Sequence, residues 1–538
     1  MPIAAPRTRN KAQVVFGGGL NTRGNAEAID PREAADGQNF DLDVDKDDFA
    51  PRQGFKLLAT ATNAAAINGF AQLRKSDGTI TTLIQAGTDV YEWDGASTFT
   101  SRGTVASGTK MRGPLEANYI EGDYVIITDI ALQEVVKTWN GTTFATLATS
   151  GLGGANFKAK YCRIVDERAI FANVTTTTAT PHLVVGSQRS APGTLTITNR
   201  PASSLSARDP WYIPIPDLKP INGMEEGFRS LLFSTDRGKM WVLLGSSAQD
   251  YAIESLNSDA SASGNESMTS IGNDIAFGRD GAIDSVIGVQ EFGDVQTDDL
   301  SVWIADQARS YVTWTLVYNR RLRRLYAFPS GGSEVFVFHR SISDRNRQLV
   351  VDPGQAAKIR PVSPWSKWKT QHAMAFQPTT VWRMLRPSDG KEFVYMGGSA
   401  GQIWQLEGEI SNDAGSDIRA DRLSSLLRSP AGELMDFKGF VHYRKRDAAT
   451  LEMTLEQSGS SVRDTSISLS LPLAAASAYF GGAYYFGGAI YFGPQARNRL
   501  FRQYWSAAGK ADLTQIRLAV NSQADFAVSR VELDAPAA

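Results

Sequence analysis

Residues 381–409, VWRMLRPSDGKEFVYMGGSAGQIWQLEGE, constrain this chain more than any other stretch. They read as three short apolar strands separated by turn signals at Ser388-Asp389-Gly390 and at 397–401, which is most of one antiparallel sheet built from local hairpins. Related hairpins recur. VYEWDGASTF (90–99) and VKTWNGTTF (136–144) each run an aromatic strand into a Trp, turn on Asp-Gly or Asn-Gly and return through Thr to Phe; Trp93 and Trp139 lie 46 residues apart. Those dipeptides suit a two-residue hairpin turn, whose central residues need positive φ. The spacing falls in the ~40–50 residue period of propeller blades, and a small sheet that cannot bury its own faces must stack against its copies.

Further units centre on YCRIVDERAIFANV within 158–186, SLLFSTDRGKMWVLLG within 222–245, LSVWIADQARSYVTW within 271–314 and RRLYAFPSGGSEVFVFH within 316–368. The expected fold is therefore all-β with very little helix: a β-propeller of about seven blades, six to eight, over residues 61–409. An N-terminal arm (1–60) precedes it. A C-terminal β-sandwich (410–538) follows, read from alternating segments such as FKGFVHYRKR, TLEMTLEQS and QIRLAV. The strand around Phe55-Lys56-Leu57-Leu58 is expected to complete the final blade, pinning the arm along the outside of the disc. Within the arm, Asp30-Pro31-Arg32-Glu33-Ala34-Ala35 predicts one helical turn. The alternation after it predicts a strand with Phe40, Leu42 and Val44 on its dry face and aspartates on its wet one. Asp41, Asp43 and Asp45 do not make an EF-hand, because Lys46 stands where the loop needs Gly and Arg52 where it needs Glu.

Composition excludes several function classes. A formal net charge of -2 with 21% charged residues gives no bulk affinity for polyanions. The lone Cys162 rules out an intramolecular disulfide framework, and the four histidines lack zinc-ligand spacing, so neither metal nor cofactor is expected. MPIAAPRTRNKAQ is not followed by an apolar run long enough for a secretory leader, so synthesis in a cytoplasm is expected.

Catalytic motifs weigh little here. Residues 397–401 match G-x-S-x-G, but that elbow requires a helix straight after the turn and QIWQL continues as strand. Ser234, Asp236, Gly238 and Trp241 resemble the Asp-box turn of sialidase-type propellers, a fold signal in which the Asp ties the turn and the Trp packs between blades. No carboxylate pair accompanies it, so no enzymatic activity is expected. The basic clusters around Arg320, Arg321, Arg323 and Arg324, and around Arg444, Lys445 and Arg446, read as a solvated rim or a subunit contact.

AYFGGAYYFGGAIYFGP is uncharged, yet its glycines and Pro494 describe a Gly-aromatic loop or extended hairpin, not a membrane helix. Its aromatics, Tyr479, Phe480, Tyr484, Tyr485, Phe486, Tyr491 and Phe492, form pairs pointing opposite ways, so both faces are apolar and need covering. The expectation is an exposed contact element that is buried only on assembly or against a host surface.

GGLNTR (18–23), Asp30-Pro31-Arg32-Glu33-Ala34, Asn39-Phe40-Asp41-Leu42-Asp43, Arg52-Gln53-Gly54-Phe55, Trp365-Ser366-Lys367-Trp368 and the GGSAGQIW segment from Gly397 to Trp404 together carry a resemblance to the nozzle (tail-tube) proteins of short-tailed bacteriophages. The resemblance spans most of residues 15–410, and Gly-aromatic tracts similar to this one occur near the C-terminal ends of such proteins. It implies a non-enzymatic virion structural protein that assembles as a homo-oligomeric ring, a hexamer, and extends the DNA-ejection conduit below the portal and its adaptor. The implied partners are the portal-proximal adaptor, other tail proteins, DNA in transient non-specific passage and a host cell surface, without stable membrane insertion. A DNA conduit should avoid sticky basic walls, so its lumen is expected to be neutral or acidic, with both basic clusters outside it. The rival reading is a tail-associated carbohydrate-active or glycan-binding propeller, sialidase-like or a depolymerase.

Overall fold

The computed structural model describes residues 11–23, 28–42, 49–113, 124–149, 156–190, 206–227, 230–236, 238–256, 261–288, 295–351, 361–408, 410–425, 427–428, 435–445, 449–457, 465–471, 501–511, 513–522 and 526–534. They divide between two compact units. One comprises Lys56–Ser333 with Phe376–Leu406, and the other comprises Met1–Phe55, Glu334–Ala375 and Glu407–Ala538.

The first unit is a β-propeller. Four-stranded antiparallel meanders cover 67–104, 111–146, 158–214, 221–256 and 268–299; the first two are linked through a parallel bridge from Arg112 to Phe70. Strands Trp314–Asn319 and Arg324–Pro329 form the hairpin of a further blade. The last blade is the 380–405 stretch, with strands Thr380–Leu385, Glu392–Gly397 and Gln402–Gln405. Its fourth strand is Lys56–Thr60, which pairs antiparallel with Gln402–Gln405, as the sequence led us to expect. Thr380–Leu385 also touches Ile67–Arg74 of the first blade, so the circle of blades closes.

Trp93 and Trp139 occupy equivalent positions. Each ends the third strand of its blade, each faces the Phe that opens the fourth (Phe99, Phe144), and they are 1% and 0% exposed. Trp93 meets Tyr395 of the last blade edge-on at 6.1 Å, and the Trp139 indole N–H donates to Thr81 Oγ1 of the first blade at 3.1 Å. Both rings therefore fill the seam with the neighbouring blade. The turns are longer than the two residues expected, spanning 94–98 and 140–143. Only the glycines take positive φ, +83° at Gly95 and +89° at Gly141. The preceding residue acts through its side chain instead: Asp94 Oδ1 accepts from the Ala96 and Thr98 amides, and Asn140 Oδ1 from those of Thr142 and Thr143. Such Asx turns do the work that a positive φ would otherwise have to do.

Within 271–314 the expected centre was misplaced. The blade's strands lie at 268–299, whereas Leu300–Ile304 is a 3-10 turn and Ala305–Ala308 a helical turn. Asp299 causes the switch by accepting the Ser301 amide at 2.9 Å, a side-chain cap that stops the strand.

The second unit holds two six-stranded antiparallel sheets, the predicted sandwich. One runs Phe40–Leu42, Phe49–Pro51, Phe526–Asp534, Met435–Lys445 and Phe501–Ala511, with Lys11–Val15 also on Phe526–Asp534. The other runs Ala34–Gln38, Ile418–Ser424, Leu513–Ser522, Ala449–Gln457 and Thr465–Leu471, with Leu427–Arg428 on Leu513–Ser522. The arm is thus woven into the sandwich. Asp30–Ala34 is not helical either. The Glu33 amide takes the Asp30 carbonyl that a helix would offer to Ala34, and the Ala34 amide goes to Gly19, opening a strand. Strands Glu334–His339 and Trp365–Lys369 pair with each other in this unit, and the helix Arg340–Val351 lies between them in sequence.

If the seam assignment is right, Trp93→Ala and Trp139→Ala will each cost about 3–5 kcal/mol in equilibrium unfolding. A loss under about 1 kcal/mol for both would show that these rings do not join the blades.

Candidate functional site

Five segments carrying the resemblance converge in the sandwich unit. Gly19 and Leu20 donate their amides to the Ser363 and Trp365 carbonyls, each at 2.7 Å. Glu33, 1% exposed, accepts from Asn21 Nδ2 and from the Ser363 amide, and its burial raises the carboxyl pKa. Asn39 exchanges hydrogen bonds with the strand Trp365–Lys369: its amide donates to the Lys367 carbonyl and its Oδ1 accepts from the Lys369 amide, both at 2.7 Å. Arg52 ends the series. Its guanidinium forms a bidentate pair with Asp413 at 2.8 and 2.6 Å, with both side chains fully buried. These residue types tie backbone to backbone, so their chemistry is structural.

The groups capable of ligand chemistry lie around the propeller axis. There the first strands of several blades line a cavity of about 100 Å³. Arg112 Nε donates to Glu266 Oε1 at 2.6 Å, while Nη1 donates to the Asn68 and Met111 carbonyls. Arg163 Nη2 donates to Glu225 Oε2 at 2.7 Å. The Tyr161 hydroxyl donates to Asn265 Oδ1 at 2.8 Å. Lys160 is half-buried, and burial lowers its pKa while Asp129 opposes the shift. Cys162 borders the cavity, but burial pushes its thiol up to about 12 and it packs with Phe157 and Phe171, so it is no nucleophile at neutral pH.

Arg320, Arg321 and Arg323 are exposed in the turn between the first two strands of their blade. The Arg320 amide donates to Glu392 Oε1 at 2.6 Å. The guanidinium groups of Arg321 and Arg386 each lie 4.6 Å from the centroid of the buried Phe393 ring. The Arg321 guanidinium is thus committed to the strand Glu392–Gly397 of the last blade. Arg446 and the aromatics Tyr479, Phe480, Tyr484, Tyr485, Phe486, Tyr491 and Phe492 lie outside the described residues, as do the side chains of Arg444 and Lys445.

The Asp-box-like turn departs from its expected wiring. Asp236 is exposed, and among the described residues its carboxylate ties no backbone; Ser234 Oγ instead accepts the Ala262 amide at 2.8 Å. Trp241 does pack into the core between blades, near Tyr161 and Ile170. Residues 397–401 turn directly into the strand Gln402–Gln405, with no helix to build an elbow. Among the described residues no group of three or more His, Cys, Asp or Glu side chains could hold a metal ion, and no helix is long and apolar enough to cross a membrane. The axial cation set went unseen in the sequence, because Arg112 lies on a different blade from Lys160 and Arg163, which share the strand Lys158–Val165, and nothing in the spacing links the two blades.

No family model matches the chain, and no curated protein matches it. Among solved structures it is similar to YCF48 bound to D1 peptide, at 10% identity and a TM-score of 0.38, over 66% of this chain and 95% of that one. It is also similar to BBS1N in complex with ARL6DN, at 10% identity and a TM-score of 0.37, over 67% of this chain and 99% of that one.

The Arg112–Glu266 pair gives a direct test of the axial wiring. Glu266→Gln leaves a 6% exposed guanidinium without its counter-charge and should cost about 3 kcal/mol in denaturant unfolding, with Arg112→Met/Glu266→Leu recovering much of the loss. Equal stabilities for the wild type and Glu266→Gln would mean that the pair contributes nothing.

Proposed function

We propose that the chain is a virion structural protein, the nozzle subunit of a short-tailed bacteriophage tail, which assembles as a ring of six copies and prolongs the DNA-ejection conduit. The observation that carries this reading is the convergence of the resembling segments, from Gly18 to Phe55 and Trp365 to Trp368, into one hydrogen-bonded latch of the sandwich unit. Their meeting in one place makes these segments one structural unit of this chain.

The conduit we propose does not run along the propeller axis. In this reading the axis, where the Arg112–Glu266 and Arg163–Glu225 ion pairs lie, is filled by the protein's own side chains. DNA would pass between copies, at the centre of the ring. In this reading the protein is made in the host cytoplasm and resides in the tail, its partners are its own copies, the adaptor and other tail proteins, and the lumen is neutral or acidic with Arg320–Arg324 outside it.

Purified protein examined by light scattering and negative-stain imaging, with the adaptor added where needed, should form closed rings of about six 58.4 kDa subunits. Deleting residues 479–493 should leave the monomer folded and abolish ring formation or infectivity. A chain that stays monomeric with its tail partners, or that hydrolyses surface glycans, would overturn the reading.

A further inference from the structure

We infer that Arg112 and Lys160 form a binding site for a small free oxyanion inside the propeller's axial cavity, independent of the assembly proposed above. One side chain brings these two residues together. The Thr128 hydroxyl lies 3.0 Å from the Lys160 carbonyl and 3.3 Å from the Arg112 carbonyl, so the strands that bear the two cations flank the same residue.

The charge balance leaves room for an anion. Arg112, Lys160, Arg163 and Arg383 line the cavity against two carboxylates, Glu225 and Glu266. Glu225 is taken by Arg163 and Glu266 by Arg112. Arg383 has its partner outside the cavity lining, in Glu392 at 3.6 Å. Asp129, near Lys160, is taken up by four backbone amides, those of Lys110, Ala131, Gln133 and Glu134. Among the described residues, no carboxylate lies within ion-pair distance of the Lys160 ammonium and no acceptor receives a hydrogen bond from it.

A second, independent observation points the same way. Arg112 is 6% exposed, and its Nη2 is buried with no hydrogen bond, although it lies 2.6 Å from Glu266 Oε1 off the line of its N–H bonds. A buried donor without an acceptor is costly, and an oxyanion oxygen would satisfy it. The lowered Lys160 pKa agrees with this, since burial disfavours the ammonium by more than the Asp129 charge offsets. The size of the cavity allows such a ligand. About 100 Å³ is ample for an ion of phosphate size, since a single water needs only about 10–15 Å³ of such space.

The test is thermal unfolding and calorimetric titration of the full chain with inorganic phosphate, against sodium chloride of equal ionic strength and against acetate. Phosphate should raise Tm with the logarithm of its concentration beyond the chloride control. Lys160→Met should abolish that rise and weaken phosphate binding roughly tenfold or more, while Lys160→Arg keeps both. A rise with acetate as well would extend the site to planar carboxylates, still through Lys160. No excess of either anion over chloride, or a rise undiminished in Lys160→Met, would overturn the inference.

Discussion

The ion pair between Arg52 and Asp413 is the interaction on which the sandwich unit depends. A buried pair stabilises a fold only when its remaining donors and acceptors are also satisfied, because each ion has lost its hydration. That condition is met here. Nη1 and Nη2 each give one N–H to Asp413 and one to a carbonyl, of Gln53 and Lys369, and Nε gives its own to Asn39 Oδ1. All five guanidinium hydrogens are therefore used, and the cation also lies 5.4 Å from the centroid of the Trp368 ring. Asp413 in return accepts the Phe55 amide at 3.3 Å.

Three stretches remote in sequence meet at this point: the arm, the strand Trp365–Lys369 and the segment after Glu407. Gly54 permits the approach, for a Cβ there would lie 1.7 Å from the Asn412 carbonyl oxygen. On either side of it, the Gly54 amide donates to the Ile410 carbonyl and its carbonyl accepts from the Gly408 amide. From Lys56 and back from Gln405 the chain runs as the two paired strands that complete the last blade. The stretches that close the propeller are thus continuous with those that the ion pair fixes.

What the sequence disclosed was local. Blade hairpins show because strand, turn and strand lie within ten or twenty residues, as in VYEWDGASTF and the 380–405 stretch, and the Trp at the end of the third strand repeats with them. Even the closing strand could be expected, since a propeller needs one. The arm's partners could not: Ala34–Gln38 pairs with Ile418–Ser424 and Phe49–Pro51 with Phe526–Asp534, and no periodicity encodes pairing across hundreds of residues. The helix Arg340–Val351 was missed because RSISDRNR holds one apolar residue, Ile342, too few to show a helical stripe; tertiary contacts hold it, Arg345 donating to the Gly17 carbonyl and Asn346 to that of Val362. The axial cations share a wall only after the blades have closed.

The most direct test of this account is equilibrium unfolding, with limited proteolysis, of Asp413→Asn. Removing the charge leaves Arg52 buried without a counter-ion, and the account predicts a loss of about 3–5 kcal/mol together with proteolytic release of the arm before the propeller is cut. A variant within about 0.5 kcal/mol of the wild type, with an equally protected arm, would contradict it.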